Sequence, residues 1–282
     1  MNRILVPTDF SEIAGFGIET ATGLARRMDA QLFLVNFIPP VHGSNINTTG
    51  AATGAGLSEE ARFTIELHKK NEKELAKLAE KISVTGIHVT TSVLVKDMQK
   101  GISDFIDEHD IDMVAVGTSG ESTYTEFFVG NHTEQIIRIS HCPVLAVKQS
   151  HPNLEIKNIV LATDLNPDAF EGVTHIKRFA SFFDAHLHVL HVMSDKDISQ
   201  AEVTSKLDSF AHRHHFANFS LHSVYEKGEK RGILKFAKEK NADLIAVITH
   251  GRTGLANLIK GSISEDLVKQ ANIPVLTAHL SN

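Results

Sequence analysis

The sequence predicts an α/β fold of two tandem, doubly wound, five-stranded parallel sheets, each with strand order 3-2-1-4-5. The first observation is a duplication: residues 4–9 read Ile-Leu-Val-Pro-Thr-Asp, and residues 159–164 read Ile-Val-Leu-Ala-Thr-Asp. The second is that apolar runs alternate with helical patterns in each half, as in parallel βαβ units. So long a repeat indicates two fused domains, expected at 1–149 and 155–282, with a linker near 149–156.

The ends of the two halves repeat as well. Gly101-Ile102 recurs as Gly232-Ile233, and Pro143-Val144-Leu145 recurs as Pro274-Val275-Leu276. These later motifs are separated by fewer residues than the opening motifs of the two halves, because the first half carries extra residues in its middle. Every site of the chain is therefore expected in duplicate, and each copy can be compared with the other.

Each half begins with a short apolar run typical of a strand buried on both faces, after which helices and strands alternate. The first half is expected to contain strand 4–6, helix 13–27, strand 31–38, helix 58–81, strand 88–95, helix 101–109, strand 113–117, helix 133–139 and strand 144–147. The second is expected to contain strand 159–162, helix 169–183, strand 186–193, helix 199–212, strand 219–225, helix 232–240, strand 244–248, helix 264–271 and strand 275–278. Residues 41–56, rich in small and polar side chains, predict a loop that is either a lid or filler.

The composition excludes several classes of protein. A chain of 282 residues suffices for two domains, and 42% hydrophobic with 22% charged residues is ordinary for a globular protein. The net charge of −6 gives no basic footprint for nucleic acid, and no apolar run approaches the roughly 18 residues of a membrane span. Cys142, expected to be a buried thiol, is the only cysteine, and the chain starts directly with a strand-like run. These features predict a cytoplasmic protein without a signal peptide or an internal disulfide.

Two candidate binding features meet at the carboxyl ends of the strands, where doubly wound sheets bind ligands. One is the aspartate after the first strand, Asp9 or Asp164. The other is a glycine-rich loop after the fourth strand, whose amides, together with those at the start of the last helix, would face a phosphate. In the first half its residues are Gly117, Gly120, Gly130, Asn131 and Thr133; in the second they are Gly251, Gly261, Ser262 and Ser264.

The chain resembles the universal stress protein family in these motifs. The resemblance rests on the Thr-Asp turn, on Gly-x₂-Gly-x₉-Gly-Ser/Thr after strand four, and on Pro-Val-Leu at strand five, present in order in both halves. It implies a fold like that of the adenine-nucleotide alpha-hydrolases, and ATP or AMP, with or without Mg²⁺, as the ligand. It places these residues in the two sites: Pro7, Thr8, Asp9, Phe37, Gly117, Gly120, Gly130, Asn131 and Thr133, then Thr163, Asp164, Val192, Gly251, Arg252, Gly261, Ser262 and Ser264.

The resemblance also implies an assembly. Members of the family dimerise through strand five, so the two halves would form an internal pseudo-dimer, and the chain would form a homodimer in turn. The function implied is that of a regulatory adenine-nucleotide-binding module of the stress response, without committed catalysis and with a protein partner of unknown identity. The alternatives are a nucleotide-free scaffold with degenerate sites and a weak ATP hydrolase.

Each half departs once from the family pattern. Asn131 replaces the Ser/Thr that follows the third glycine, and Ile248 replaces the first glycine, where a β-branched side chain could crowd a ribose. Charge favours the other half: the first loop carries Glu121 and Glu126 without a base, whereas the second carries Arg252 and Lys260 without an acid. Binding in one half or in both is therefore open, with the steric argument favouring the first half.

Simpler interpretations exist for most of these residues. Asp9 and Asp164 could cap the first helix of each half, and Asn131 or Ser262 with a glutamate three residues later fits a helix cap. The 17 histidines include two clusters, His186 with His188 and His191, and His212 with His214 and His215. Metal binding needs convergent ligands that these spacings do not supply, so no metal site and no catalytic residue is predicted. Walker A and Gly-x-Gly-x-x-Gly motifs are both missing from the sequence.

Overall fold

The computed structural model describes residues 1–40, 47–49, 58–119, 129–167, 169–193, 199–249 and 263–279, with the backbone alone at 129–131 and 249. The contacts divide the chain into two compact units. The first contains Met1–Gly117 and Gln149–Asn153, and the second contains Thr118–Lys148 and Leu154–Asn282. The bounds expected from the sequence, 1–149 and 155–282, follow the repeat and stay a prediction.

The first unit is a parallel sheet with its helices. Its elements are β1 (Arg3–Pro7), α1 (Glu12–Met28), β2 (Gln31–Ile38), α2 (Glu59–Ser83), β3 (Val89–Val95), α3 (Met98–Glu108) and β4 (Met113–Gly117). The strands lie in the order β3-β2-β1-β4, and every pairing is parallel. The centre of the sheet is fully buried, as Ile4, Leu5, Leu32 and Leu34 show. Burial on both faces explains why these strands read as continuous apolar runs.

The second unit contains a complete five-stranded copy and one further strand. Its elements are α4 (Val129–Ile139), β5 (Val144–Val147), β6 (Asn158–Ala162), α5 (Phe170–Ser181), β7 (His186–Met193), α6 (Gln200–His214), β8 (Phe219–Tyr225), α7 (Glu229–Glu239), β9 (Leu244–Thr249), α8 (Ile263–Gln270) and β10 (Val275–His279). The order β8-β7-β6-β9-β10 is all parallel and is the predicted 3-2-1-4-5. The α/β class expected from the sequence is confirmed.

The fifth strands of the two repeats pair with each other, as expected. β10 lies antiparallel to β5, with Leu276 opposite Leu145, and this is the single antiparallel pairing among the strand pairs described. Both strands are almost fully buried, and Thr277 Oγ1 donates to the carbonyl of Val144 at 3.4 Å.

Two ion pairs flank this strand pair in a reciprocal arrangement. Glu134 and Arg138 of α4 occupy the repeat positions of Glu265 and Lys269 of α8. Arg138 Nε lies 2.5 Å from Glu265 Oε1, and Lys269 Nζ lies 2.5 Å from Glu134 Oε1. Each helix thus gives its acid to the base of the other, the pattern that a two-fold relation produces. The Glu265 side chain is only 3% exposed, so its cation partner offsets a real desolvation cost.

Two repeated aspartate pairs have structural roles. Asp112 Oδ2 accepts from the backbone amides of Asn2 and Arg3, and Asp243 Oδ2 accepts from those of residues 157 and 158. They fasten the start of the first strand in each repeat. Asp29 and Asp184, with φ of 52° and 51°, are left-handed residues following the first helix of each repeat, a conformation that Asp tolerates better than most residues.

Candidate functional site

The turn after β1 is held by two side-chain acceptors. The Phe10 amide donates to Thr8 Oγ1 at 3.0 Å, and the Ser11 amide donates to Asp9 Oδ1 at 3.0 Å. Phe10 adopts a left-handed conformation with φ of 65°. This Asx turn holds the exposed carboxylate of Asp9 at the carboxyl end of the central strand, while Thr8 is buried.

The turn after β6 has the same construction. The Leu165 amide donates to Thr163 Oγ1 at 2.9 Å, and the Asn166 amide donates to Asp164 Oδ1 at 3.0 Å. Leu165 has φ of 63°. Two bulky residues therefore take the same unfavourable backbone conformation at equivalent positions. In each turn a threonine hydroxyl and an aspartate carboxylate accept hydrogen bonds that stabilise it.

Neither aspartate caps a helix. Ser11 is the N-cap of α1 and accepts from the Ala14 amide at 3.1 Å, whereas α5 has Ala169 at its N-cap, without a side-chain hydrogen bond. The interpretation of Asp9 and Asp164 as helix caps is therefore wrong.

A polar side chain of the neighbouring strand braces each turn. Asn36 of β2 donates through Nδ2 to the Thr8 carbonyl at 2.8 Å, and His191 Nδ1 of β7 lies 3.0 Å from the Thr163 carbonyl. Sequence reasoning did not assign these two residues. The available signal was a polar residue between apolar neighbours, in Leu-Val-Asn-Phe and Val-Leu-His-Val.

Phe37 and Val192, whose backbone the resemblance places beside an adenine base, contact helices through their side chains. A Cβ on Gly101 of α3 would lie 2.4 Å from Cε1 of Phe37, and one on Gly232 of α7 would lie 2.6 Å from Cγ1 of Val192. The repeated glycines thus let α3 and α7 approach the second strand of each sheet. The backbone of Phe37 and Val192 remains the part assigned to a base.

Gly117 is required by helix packing. It ends β4, and a Cβ there would lie 1.7 Å from the carbonyl oxygen of Ile13 and 3.3 Å from the amide nitrogen of Ala14, both in the first turn of α1. No side chain fits between the strand end and this turn unless α1 moves.

Ile248 occupies the same repeat position without obstruction. It lies in β9 opposite Ala278, so its backbone is that of an ordinary strand. Its Cγ2 lies 2.9 Å from the Cβ position of Gly172 in α5. α1 begins five residues before Gly17, the counterpart of Gly172, whereas α5 begins only two residues before Gly172. The missing turn is the one that carries Ile13 in α1, and Ile248 packs against α5 in its place. A strand backbone suits a β-branched residue, so Ile248 is accommodated there without strain. The expectation that its side chain could crowd a ribose stays a prediction.

The last helix of each repeat also differs from expectation at its start. α4 begins at Val129, so Gly130, Asn131 and Glu134 are helical residues, and the N-cap interpretation of Asn131 is wrong. Thr133 and Ser264 are buried, at 3% and 4% exposure.

The described structure brings together part of each predicted site. Pro7, Thr8, Asp9, Phe37 and Gly117 lie at the carboxyl ends of adjacent strands in the first unit. In the second unit, Thr163, Asp164 and Val192 lie at the same edge, together with Ile248. Five of the predicted site residues fall outside the described residues: Gly120, Gly251, Arg252, Gly261 and Ser262. The charged residues Glu121, Glu126 and Lys260 also fall outside them, as does most of the 41–56 segment.

The first histidine cluster lies on β7 and β8. His188 Nδ1 is 3.1 Å from Ser220 Oγ and 3.3 Å from His222 Nε2, and its Nε2 is 3.2 Å from Asn158 Oδ1. The His186 ring lies 4.7 Å from that of His188. Among the described residues, no group of three or more His, Cys, Asp or Glu side chains could hold a metal ion.

The second histidine cluster is at the end of α6. His214 is 3% exposed beside Phe210, Phe170 and Phe216, and its Nε2 finds no hydrogen-bond partner in the part of the chain described. Burial lowers its pKa. Cys142 is buried, as expected.

The histidines make the second unit sensitive to acid. Burial, followed by repulsion from His186 and His222, lowers the pKa of His188 from 6.5 to about 4, and burial also lowers the pKa of His222. The unfolded chain therefore binds this proton before the folded chain does, so the contribution of the neutral His188 to stability is full above pH 6.5 and is lost as the pH falls toward 4.

We expect His188→Leu to reduce the loss of unfolding free energy between pH 6.5 and 4. Urea unfolding followed by circular dichroism, at pH steps across this window, measures that slope. His212→Leu is the control, because it removes an exposed histidine of the same unit that lies outside this cluster. Equal slopes in wild type and His188→Leu would show that this cluster does not set the acid response.

The sequence profile of the universal stress protein family matches residues 1–148 and again residues 155–279. The chain belongs to the universal stress protein family. Universal stress protein Slr1230 from Synechocystis is 23% identical over 98% of this chain and 99% of its own length. Universal stress protein MJ0531 from Methanocaldococcus jannaschii is 25% identical over 52% of this chain and 82% of its own length.

A solved universal stress protein from Archaeoglobus fulgidus has the same fold. It is 21% identical, covers 99% of both chains and has a TM-score of 0.76. The tandem arrangement is thus that of a two-domain universal stress protein. No helix in the described ranges has the length and apolar character needed to cross a membrane.

Proposed function

We propose that this universal stress protein is a regulatory module that binds an adenine nucleotide at the strand-end turn of each repeat, with no committed catalysis. The observation that carries the proposal is the duplicated turn. In both repeats an aspartate carboxylate stands at the carboxyl end of the central strand, held by the same hydrogen bonds and a left-handed residue. Helix capping does not explain these aspartates, and a strained turn kept twice at this edge suits a ligand site.

The two sites should differ in affinity, and we assign the stronger triphosphate site to the second repeat. The steric objection to that repeat was Ile248, whose side chain packs against Gly172 of α5. Charge then decides, because the second loop contributes Arg252 and Lys260 and the first contributes Glu121 and Glu126. The ligand is ATP or AMP; Mg²⁺ would matter most beside the acidic first loop.

A matched pair of variants tests the proposal. Asp9→Ala and Asp164→Ala should each weaken ATP binding to one of the two sites about tenfold or more in an isothermal titration. The reason is that each variant loses hydrogen bonds to a charged group. Asp9→Asn and Asp164→Asn are the controls for folding, because an asparagine Oδ1 can still accept from the turn amide.

The alternatives are outcomes of the same experiment. Mass spectrometry of small molecules released from denatured protein identifies any nucleotide that co-purifies. The absence of both released nucleotide and titration heat would favour the nucleotide-free scaffold. Phosphate release during the titration would favour a weak ATP hydrolase. The internal pseudo-dimer, a further homodimer, a cytoplasmic location and a protein partner in the stress response complete the proposal; size-exclusion chromatography tests the homodimer.

A further inference from the structure

Two buried amides connect helix α2 to the turn of the first repeat. Asn71 of α2 donates through Nδ2 to Asn36 Oδ1 at 2.8 Å, and Asn36 donates through its own Nδ2 to the Thr8 carbonyl at 2.8 Å. Asn71 is 8% exposed and Asn36 is 5% exposed. The Thr8 amide in turn donates to the Val35 carbonyl at 2.9 Å. Asn71, which lies 35 residues from Asn36 in the sequence, is thus connected through Asn36 to Thr8, the residue before Asp9.

The buried side of α2 is unusually polar at its centre. A helix that covers a sheet normally buries an apolar stripe, whereas the buried side of α2 includes Thr64, His68 and Asn71 beside Leu75. Buried amides that leave water stabilise a fold little unless they are fully hydrogen-bonded. α6 in the second repeat buries a mainly apolar set: Val203, Leu207, Phe210, Ala211 and His214. Packing alone therefore does not explain the polar stripe of α2.

The neighbouring contacts fix where Asn71 stands. His68, one turn earlier, is 6% exposed, and its Nε2 lies 3.0 Å from the Val93 carbonyl of β3. With Asn71 bonded to β2, α2 is registered against two strands at once. A shift of α2 would break both contacts and release the Asn36 amide that holds the Thr8 carbonyl.

We propose that Asn71 and Asn36 are positioning residues that set nucleotide affinity in the first repeat by fixing the Thr8–Ser11 turn and with it the Asp9 carboxylate. This rests on the proposed function, because it concerns the same site. By thermodynamic linkage, nucleotide bound at Asp9 steadies α2 by the same factor by which α2 strengthens binding. In the second repeat the Thr163 carbonyl is met by His191, so the two sites are held by different chemistry.

The test is Asn71→Leu, a substitution close in size that cannot donate to Asn36. We expect hydrogen exchange at the Phe10 and Ser11 amides to rise about fivefold, as loss of one buried hydrogen bond implies. We also expect first-repeat affinity for ATP, titrated in the Asp164→Ala background, to fall about fivefold. Leu75→Val is the matched control, because Leu75 is fully buried on the same helix; it should lower the melting temperature without changing either readout.

Each result decides the point. Unchanged exchange and unchanged affinity in Asn71→Leu would overturn the proposal, as would equal changes in Leu75→Val. If Asn71→Leu does not fold, Asn71→Ala removes the same donor with less steric conflict. If wild-type protein binds no ATP in either repeat, the proposed function fails, and the exchange of Phe10 and Ser11 alone decides whether α2 positions the turn.

Discussion

Replacing Gly117 with alanine is expected to lower the free energy of unfolding by about 3 kcal/mol. The new Cβ would lie 1.7 Å from the Ile13 carbonyl oxygen and 2.6 Å from the Ile13 carbonyl carbon. Backbone atoms cannot rotate away as a side chain can, so the first turn of α1 would have to leave the end of β4. This displacement would weaken the packing of α1 on the sheet and would also distort the neighbouring Asp9 turn.

Urea unfolding of Gly117→Ala measures the loss, and Gly15→Ala is its control. Gly15 lies in α1, the helix that Gly117 contacts, and nothing lies within 4 Å of its Cβ position. Alanine at position 15 should therefore be neutral or stabilise by about 0.5–1 kcal/mol through helix propensity. A Gly117→Ala protein as stable as wild type would show that α1 docks without this glycine.

Gly261→Val is expected to remove triphosphate binding from the second repeat, with a loss of affinity of tenfold or more. The family resemblance implies that the backbone at Gly261 approaches the phosphates. A branched side chain there would fill the space that the anion needs. Isothermal titration with ATP and AMP measures the effect. Salt should weaken wild-type ATP binding more than AMP binding, because ATP carries the greater charge.

Gly130→Val is the matched variant in the first repeat. Gly130 is a residue of α4, and valine has a higher helix propensity than glycine. Gly130→Val should leave the stronger ATP site intact if charge ranks the two repeats as proposed. The reverse result, with ATP lost in Gly130→Val and kept in Gly261→Val, would assign the stronger site to the first repeat.

The elements were predictable because their signals are local. Strands 31–38, 186–193 and 219–225 match the structure at both ends, since apolar runs and helical periodicity involve only neighbouring residues. The alternation of strands and helices then predicted parallel βαβ units, and the repeat predicted them in both halves. The main error in the first repeat was the start of α4, placed at 133 and observed at Val129, because no capping signal marks it.

The candidate site was predictable only in part. The Thr-Asp turns were assigned from their position after the first strand of each half and from the family resemblance, and the structure gives both turns the same geometry. The reason for glycine at 117 was not predictable, because the blocking atom belongs to Ile13, about a hundred residues away in the chain. Similarly, Ile248 is accommodated because α5 begins at Phe170, and the residues next to Ile248 in the sequence do not indicate where α5 begins.

By itself, the sequence determined the α/β class, the duplication, the order of elements and the two aspartate turns, all of which depend on short-range pattern or on comparing one half with the other. Only the tertiary structure decided that Asn71 meets Asn36, that α4 and β5 belong to the second unit, and that Gly117 serves helix docking. The physical reason is that these contacts join residues far apart in the chain. Their distances are set when helices and sheets pack, and no local periodicity records them.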